Sequence, residues 1–322
     1  MEEKIMFSKI NNRKILTLCH IGIVATTLVT LTFAFVGLAI TSEQKAFATS
    51  EEAVSAFVNA LKDNNNKELL TIFGADANEL ISSGDEVADQ QRREMFVNAF
   101  DEQHKIEPEG DKLVLVVGKN DWPFPIPLVK LAEQWIFDTA AGKEEILNRR
   151  IGNNELSTIQ VMLAIVDAQR EYAMKDREGD GLLKYAQKFK SDPGKKNGLY
   201  WETKEGEEPS PLGDLIAGAR REGYFKGTSS EGPQPYHGYL YRILTAQGAN
   251  AVGGAFDYIV KGKMIGGFAV VAYPAEYGNS GVMTFIVNHD GVVYQKDLGE
   301  DTEQEAQAIK LFDPDKTWTK AQ

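Results

Sequence analysis

Three residues near the C-terminal end of the sequence have side chains that could together perform hydrolytic chemistry. His237 lies in the stretch PYHGYLYR, and Glu276 and Ser280 lie in AEYGNSG. A serine nucleophile, a histidine base and a carboxylate that orients the histidine form the catalytic triad of many hydrolases. The stretch Gly278-Asn279-Ser280-Gly281 is not the G-x-S-x-G turn that exposes a nucleophilic serine. The alternative interpretation is structural, with His237 as a histidine at the start of a strand.

A second group of residues has the spacing of a metal-binding loop. Acidic side chains stand at alternate positions, at Asp176, Glu178 and Asp180, and Gly181 follows them, as in the first half of an EF-hand calcium loop. The last ligand position of such a loop would be Gln187 instead of a bidentate glutamate. The sequence therefore predicts either a partial calcium site at these three carboxylates or a solvated acidic turn.

Composition and motifs argue against several other kinds of site. The formal net charge is −12 for the whole chain and −14 for residues 49–322, so the basic surface that nucleic-acid binding requires is not expected. Neither G-x-G-x-x-G nor G-K-[ST] occurs, so no nucleotide cofactor is predicted. Because Cys19 is the only cysteine, the rest of the chain can form no disulfide and offers no thiol nucleophile. Calcium is the only cofactor that the sequence suggests.

The N-terminus has the three parts of a secretory signal. Basic residues precede an apolar run over residues 15–40, and Ala46-Phe47-Ala48 is a small-x-small cleavage site. The run is also long enough to cross a bilayer. Two outcomes are therefore predicted for residues 1–48, cleavage after Ala48 or retention as an N-terminal anchor. Both place the remainder outside the cytoplasm, in the periplasm or cell envelope, and both limit membrane contact to this segment.

Residues 49–140 are predicted to form an α+β domain. Thr49 and Glu52 have the spacing of a capping box, and apolar residues follow them at helical spacing. Two further helices are predicted before residue 101, and strands are predicted at 113–117 and 134–138. Helices followed by curved strands that carry a tryptophan resemble the cone-shaped folds of the nuclear-transport-factor-like superfamily, which often contain a pocket. Trp122 and Trp135 could stack on a ligand in such a pocket, although packing in or around the core is the favoured interpretation.

Residues 141–322 are predicted to form a second α+β domain, in which a helix packs on an antiparallel sheet. Two helices are predicted at 142–151 and 156–174, separated by a cap at Gly152-Asn153-Asn154. Apolar and alternating segments predict strands, and Asn288-His289-Asp290-Gly291 is a hairpin turn. The predicted strands lie at residues 239–245, 264–273, 282–287 and 292–296. Their short connections favour antiparallel pairing.

Several long motifs resemble those of the DUF2950 family, which comprises bacterial exported proteins of unknown function. The motifs are YHGYLYRILTAQG, GGAFDYIVKGKMIGGFAVVAYPAEYGNSGVMTFIVN, GVVYQKDLG, WPFPIPLVK, FDTAAGKEEILNRRIGNNE and KNGLYW. The resemblance covers essentially everything after the leader. It implies an envelope location and supplies no catalytic residues.

The C-terminal part also resembles the globular half of type II pseudopilins. The similarity rests on the AQxxYA pattern formed by Ala168-Gln169 and Tyr172-Ala173, on GYLYRI, and on SGVMTFIVNHDGVV. The pilin leader, with its processing glycine and following glutamate, does not occur in residues 1–48. The resemblance therefore implies helix-on-sheet packing and not assembly into a pilus.

The favoured functional interpretation is a non-enzymatic envelope protein that acts as a binding, scaffold or assembly module, with an envelope protein or a glycan as its partner. One alternative is a small-molecule or glycan hydrolase that uses the region around His237. A second alternative is a structural module stabilised by calcium. The sequence does not choose an oligomeric state.

Overall fold

The structure is a computed structural model that describes residues 44–204, 206–224 and 234–321. The predicted leader therefore lies outside the described residues, apart from its last five positions. Helices and antiparallel sheets are both present, so the predicted α+β class is confirmed. The predicted boundary between residues 140 and 141 stays a prediction.

Seven α-helices are found in the described part of the chain, and the first begins at the cap that the sequence predicts. Thr49 Oγ accepts a hydrogen bond from Glu52 N, and the Glu52 carboxylate accepts one from Ala48 N, so the predicted cap is formed. The helices are α1 (Ser50–Lys62), α2 (Asn66–Phe73), α3 (Asn78–Ile81), α4 (Glu86–Glu102), α5 (Thr139–Ala173), α6 (Gly213–Glu222) and α7 (Thr302–Ala308). Within the described ranges, no helix combines enough length with enough apolar character to cross a membrane.

The strands near the N-terminal helices form one antiparallel sheet. They are β1 (His104–Glu109), β2 (Lys112–Val117), β3 (Trp122–Pro123), β4 (Leu128–Leu131) and β5 (Gln134–Phe137). The sheet order is β1-β2-β4-β5, and β3 pairs with β2. The strands predicted at 113–117 and 134–138 are confirmed as β2 and β5, whereas β1 and β4 were not predicted.

The C-terminal strands form a second five-stranded sheet and two short pairs. The strands are β6 (Tyr239–Leu244), β7 (Ala246–Gln247), β8 (Phe256–Asp257), β9 (Ile259–Val260), β10 (Lys263–Met264), β11 (Ala269–Pro274), β12 (Met283–Asn288), β13 (Tyr294–Asp297) and β14 (Thr319–Lys320). The sheet order is β14-β13-β12-β11-β6, and every pairing is antiparallel. The predicted hairpin is confirmed, because Met283 faces Asp297 in the β12–β13 register and Gly291 N donates to Asn288 O.

Two local predictions are wrong. The two helices predicted on either side of Gly152 are one continuous helix of 35 residues, α5. Asn154, the predicted cap, instead accepts from Arg92 and donates to the Ser280 carbonyl, so tertiary hydrogen bonds outweigh its tendency to end helices. The strand predicted at 264–273 is divided between β10 and β11, because Gly267 adopts a φ of +146° that glycine alone readily adopts.

Two hydrophobic cores form on either side of the middle of α5. One is built from residues between Phe47 and Phe137, and the other from residues between Val161 and Phe312. The first part of α5 packs on the first core through Ile146, and its last part packs on β11 and β12. Gly142 allows α5 to lie close to the first core, since a Cβ at this position would lie 2.7 Å from Cγ1 of Ile126.

The residues at the end of the predicted leader belong to the first core. Phe47 is only 7% exposed and pairs with Trp135, with Phe47 N donating to Trp135 O at 2.9 Å and Trp135 N donating back at 2.8 Å. The Gln44 side chain donates to the carbonyls of Ile72 and Phe137. Residues 44–47 therefore extend the sheet at its β5 edge and fill part of the core.

Candidate functional site

A largely apolar pocket of about 570 Å³ opens into the first core. Its walls come from α1, α2, α3, α4, the strand β2, the segment around β3 and the first part of α5. Five aromatic rings line it, those of Phe57, Phe73, Phe96, Trp122 and Phe124. This volume lies within the range of pockets that hold small molecules, and an apolar lining with a few polar groups is typical of them.

The aromatic side chains pack against one another and give the pocket a defined wall. Phe57 is stacked on Phe124 at 5.1 Å between ring centroids, and Phe96 meets Phe124 edge-on at 5.4 Å. Trp122 is 37% exposed and Met95 is 62% exposed, so these two place apolar surface where the pocket meets solvent. Of the two tryptophans considered from the sequence, Trp122 lines the pocket, whereas Trp135 packs against the core beside Phe47.

Charged side chains also line the pocket, and most of them are arginines. Arg92 and Arg93 come from α4, and Arg149 and Arg150 come from α5. Among the described lining residues, Asp89 is the only carboxylate. Asp89 is itself engaged, since it accepts from the backbone and hydroxyl of Ser83 and forms an ion pair with Arg92 at 3.1 Å.

Arg150 is the most deeply buried of these arginines, at 6% exposure. Its guanidinium donates to the carbonyls of Glu79 and Leu80 and to the side-chain oxygen of Asn279. All three acceptors are neutral, and Nε has no hydrogen-bond partner among the described atoms. Burial, followed by repulsion from Arg92, lowers the pKa of Arg150 from 12.5 to about 10, so the side chain still carries its charge at neutral pH.

A buried polar network lies beside the pocket and joins the helices to the second sheet. Asp85 Oδ1 caps α4 by accepting from Ala88 N, and its Oδ2 accepts from the Tyr224 hydroxyl and from Gly238 N, both at 2.8 Å. Glu155 on α5 accepts from the backbone at the start of β12. These contacts satisfy buried polar groups and fix the loops that carry the predicted catalytic residues.

The three residues predicted as a triad lie on two loops of the second half. The Ser280 hydroxyl donates to the Glu276 carbonyl and accepts from Glu276 N, so it closes the turn between them. The Glu276 carboxylate accepts from Asn279 Nδ2. Within the described ranges, no side-chain hydrogen bond joins His237 to either residue. The catalytic assignment stays a prediction.

His237 has a backbone and an environment that favour a structural role. Its φ is +52°, a left-handed conformation that is uncommon for a residue other than glycine, and its backbone N donates to the Tyr224 hydroxyl at 3.3 Å. Its Nε2 lies 3.8 Å from a carboxylate oxygen of Glu222. Burial nevertheless lowers the pKa of His237 below its ordinary value of 6.5.

The three carboxylates predicted to bind calcium are already surrounded by hydrogen-bond donors. Asp176 accepts from the backbone of Gly179 and Gly181, as expected for a tight turn. Asp180 pairs with Lys184 and Lys263, and Lys184 also lies 3.2 Å from Glu178. In the part of the chain that the structure describes, no group of three or more histidine, cysteine, aspartate or glutamate residues is placed to hold a metal ion. The calcium assignment stays a prediction.

The charged residues of the pocket lining, above all Arg92 and Arg150, were not predicted from the sequence. The available signal was weak, since Arg92-Arg93 and Arg149-Arg150 are two of three Arg-Arg doublets in the sequence, and Arg220-Arg221 is the third. The proximity of Arg92 and Arg150 could not be read from the sequence, because it depends on how α4 and α5 pack.

Comparison with known proteins supports the resemblance seen in the sequence. The profile of the family described as "Protein of unknown function (DUF2950)" matches residues 44–321. The chain belongs to this family. No match was found among curated proteins or solved structures, and none supports the pseudopilin resemblance. The family match begins at Gln44, the residue whose side chain joins α2 and β5.

Proposed function

We propose that this protein is a non-enzymatic binding protein that holds an apolar small molecule in the pocket of its first core. The observation that carries the proposal is the pocket itself, about 570 Å³ in volume and lined by aromatic and aliphatic side chains. Buried apolar surface is the largest favourable term in such binding. A nuclear-transport-factor-like character of residues 49–140, predicted from the sequence, would agree with a ligand pocket at this place.

The test uses a neutral fluorescent probe, N-phenyl-1-naphthylamine, and a series of straight-chain alcohols that compete with it. We expect the probe to bind one site, and each added methylene of the alcohol to lower its dissociation constant about fourfold until the pocket is full, because a buried methylene contributes about 0.8 kcal/mol. Probe binding that does not saturate, or competition that is independent of chain length, would contradict the proposal.

Two tryptophan substitutions on the same helix provide a matched comparison. Ile146 lines the pocket, whereas its neighbour Leu147 is partly buried but does not line it. We expect Ile146→Trp to reduce probe binding at least tenfold because the larger ring fills the space, and Leu147→Trp to leave binding within twofold of the wild type. Circular dichroism would show that both variants are folded.

We also propose that the protein acts outside the cytoplasm, with the envelope as its location. The support is the sequence of residues 1–48, which has the parts of an export signal. An envelope protein or a glycan as partner, and a pilin-like second half that serves assembly, are further parts of this hypothesis. Fractionation of cells that produce the full-length chain tests the location, and recovery only in the cytoplasm would refute it.

The hydrolase and calcium alternatives receive less support. In the described structure the Ser280 hydroxyl is engaged in its own turn, and Asp180 is paired with two lysines. If the hydrolase alternative is correct, His237→Ala abolishes an activity without unfolding the protein.

A further inference from the structure

We infer that the ligand of the pocket ends in an anion, such as a carboxylate or a phosphate on an apolar chain, and that Arg150 and Arg92 bind this head group. The inference rests on the proposed function, because it concerns the same pocket. According to this inference, the pocket binds amphipathic acids more tightly than neutral or cationic apolar molecules.

The lining of the pocket carries more positive than negative charge. The described lining contains four arginines and one carboxylate, Asp89, in a protein whose net charge is −12. Asp89 can balance only one of the four, and it is already paired with Arg92. Arg149 has a partner away from the cavity, Glu145, and its guanidinium lies over the Trp122 ring at 5.4 Å. Arg93 donates to the Asn64 side chain and to the Ile81 carbonyl, so the hydrogen-bond acceptors described for Arg93 and Arg150 are all neutral.

Arg150 is a buried cation whose hydrogen-bond acceptors are all neutral. A buried charge is costly unless an opposite charge and hydrogen bonds compensate it. Burial lowers the pKa of Arg150, and the carboxylates of Asp89, Glu276 and Glu79, which raise it through their charge, offset only part of this effect. The Nε atom of Arg150 is buried without a partner. An anionic head group would add to this partial compensation and supply the missing acceptor.

A purely structural role explains only part of this arrangement. The carbonyls of Glu79 and Leu80 lie in α3, and helices leave their last carbonyls without internal partners, so two of the Arg150 hydrogen bonds serve α3. Arg92 is held by its own contacts with Asp89 and Asn154, and these place a second cation near Arg150. Arg92 lowers the pKa of Arg150, which means that the two cations repel each other across this region. An anion bound near both would relieve the repulsion.

The test measures displacement of N-phenyl-1-naphthylamine from the full-length protein at neutral pH by four ligands with the same chain: decanoate, decyl phosphate, decanol and decyltrimethylammonium. We expect at least one of the two anions to bind about tenfold or more tightly than decanol, in the range of a hydrogen bond to a charged group, and the cation to bind most weakly. The tighter of the two anions identifies the head group as carboxylate or phosphate.

Three variants locate the effect. Arg150→Met is expected to reduce the preference for the anion over decanol to within threefold, and Arg92→Met is expected to reduce it at least threefold. Arg170 lies on the same helix, is exposed and donates to the His289 carbonyl, so Arg170→Met is the control and is expected to keep the full preference. If Arg150→Met does not fold because α3 loses its hydrogen bonds, Arg92→Met alone decides the question.

The outcomes separate the two proposals. Equal binding of decanol and both anions, or tightest binding of the cation, overturns the inference and leaves the apolar pocket intact. Failure of all four ligands and of the probe refutes the proposed function and the inference together. A preference for the anion that survives both arginine substitutions also overturns the assignment to Arg150 and Arg92.

Discussion

The burial of Phe47 makes a sharp prediction about where the folded protein begins. Phe47 is one residue before the predicted cleavage site, yet its ring lies in the first core and its backbone pairs with Trp135. Truncating a buried phenylalanine to alanine typically costs 3–5 kcal/mol. Because Phe47 lies at the edge of the core, we expect Phe47→Ala to lower the free energy of unfolding by about 3 kcal/mol, at the low end of that range.

Urea denaturation of the full-length protein, followed by circular dichroism, measures this change. Lys45→Ala is the control, because Lys45 is exposed. Its side chain forms a surface ion pair with Glu68 and lies 5.4 Å from the centroid of the Phe47 ring, and both contacts are weak at an exposed site, so we expect a loss below about 1 kcal/mol. A loss for Phe47→Ala that does not exceed the control would refute the reasoning.

The burial of Phe47 and the contacts of Gln44 also limit where the leader can be cleaved. Cleavage after Ala48 would remove Phe47 and also the Gln44 side chain that donates to Ile72 and Phe137. We therefore expect the N-terminus of the protein purified from cells to lie at or before Gln44, either because the segment is retained or because it is cut upstream. Intact-mass measurement decides this, and a chain that begins at Thr49 and remains equally stable would contradict the role given to Phe47.

Three further predictions concern a helix glycine, a histidine and the acidic loop. Gly142→Ala should destabilise the protein by about 2 kcal/mol, because the new Cβ would collide with the Pro125 carbonyl. Gly152→Ala has open space around it and should stabilise α5 by up to about 1 kcal/mol. If urea denaturation shows a similar effect for both, the close packing at Gly142 is contradicted. Burial lowers the pKa of His237 below its ordinary value of 6.5 in the folded state, so the free energy of unfolding should fall as the pH drops below about 6.5. His237→Asn should make the melting temperature less dependent on pH in this range, because asparagine does not titrate there and tolerates the left-handed backbone. Since Asp180 is paired with two lysines, millimolar calcium should leave the melting temperature unchanged relative to chelator, and a rise of several degrees would instead confirm the calcium site.

Local signals predicted the elements that depend on local chemistry. The cap at Thr49 and the turn at Asn288–Gly291 could be read from the sequence, because each depends on side chains a few residues apart. The break predicted at Gly152-Asn153-Asn154 was wrong because the Asn154 amide is satisfied by partners far away in the sequence.

The candidate site was the least accessible part to sequence reasoning. The predicted triad used residues that were chemically suitable, but Ser280 serves its own turn. The pocket is built from aliphatic and aromatic residues that resemble any core in sequence. Its arginines come from α4 and α5, which are far apart in the sequence and are joined by the hydrogen bond from Arg92 to Asn154. Arg92 and Arg150 are 58 positions apart, so only the tertiary structure shows that they line the same pocket.

The continuity of α5 limits how parts of this protein can be exchanged by recombination. At about 1.5 Å per residue, its 35 residues span about 52 Å, and they contribute to both hydrophobic cores. Neither core can be transferred to another gene as a self-sufficient module without dividing this helix, and a cut at the predicted boundary of 140/141 would separate Thr139 and Ala140 from it. Recombination is therefore expected to move both cores together, in keeping with a family match that runs without interruption from residue 44 to residue 321.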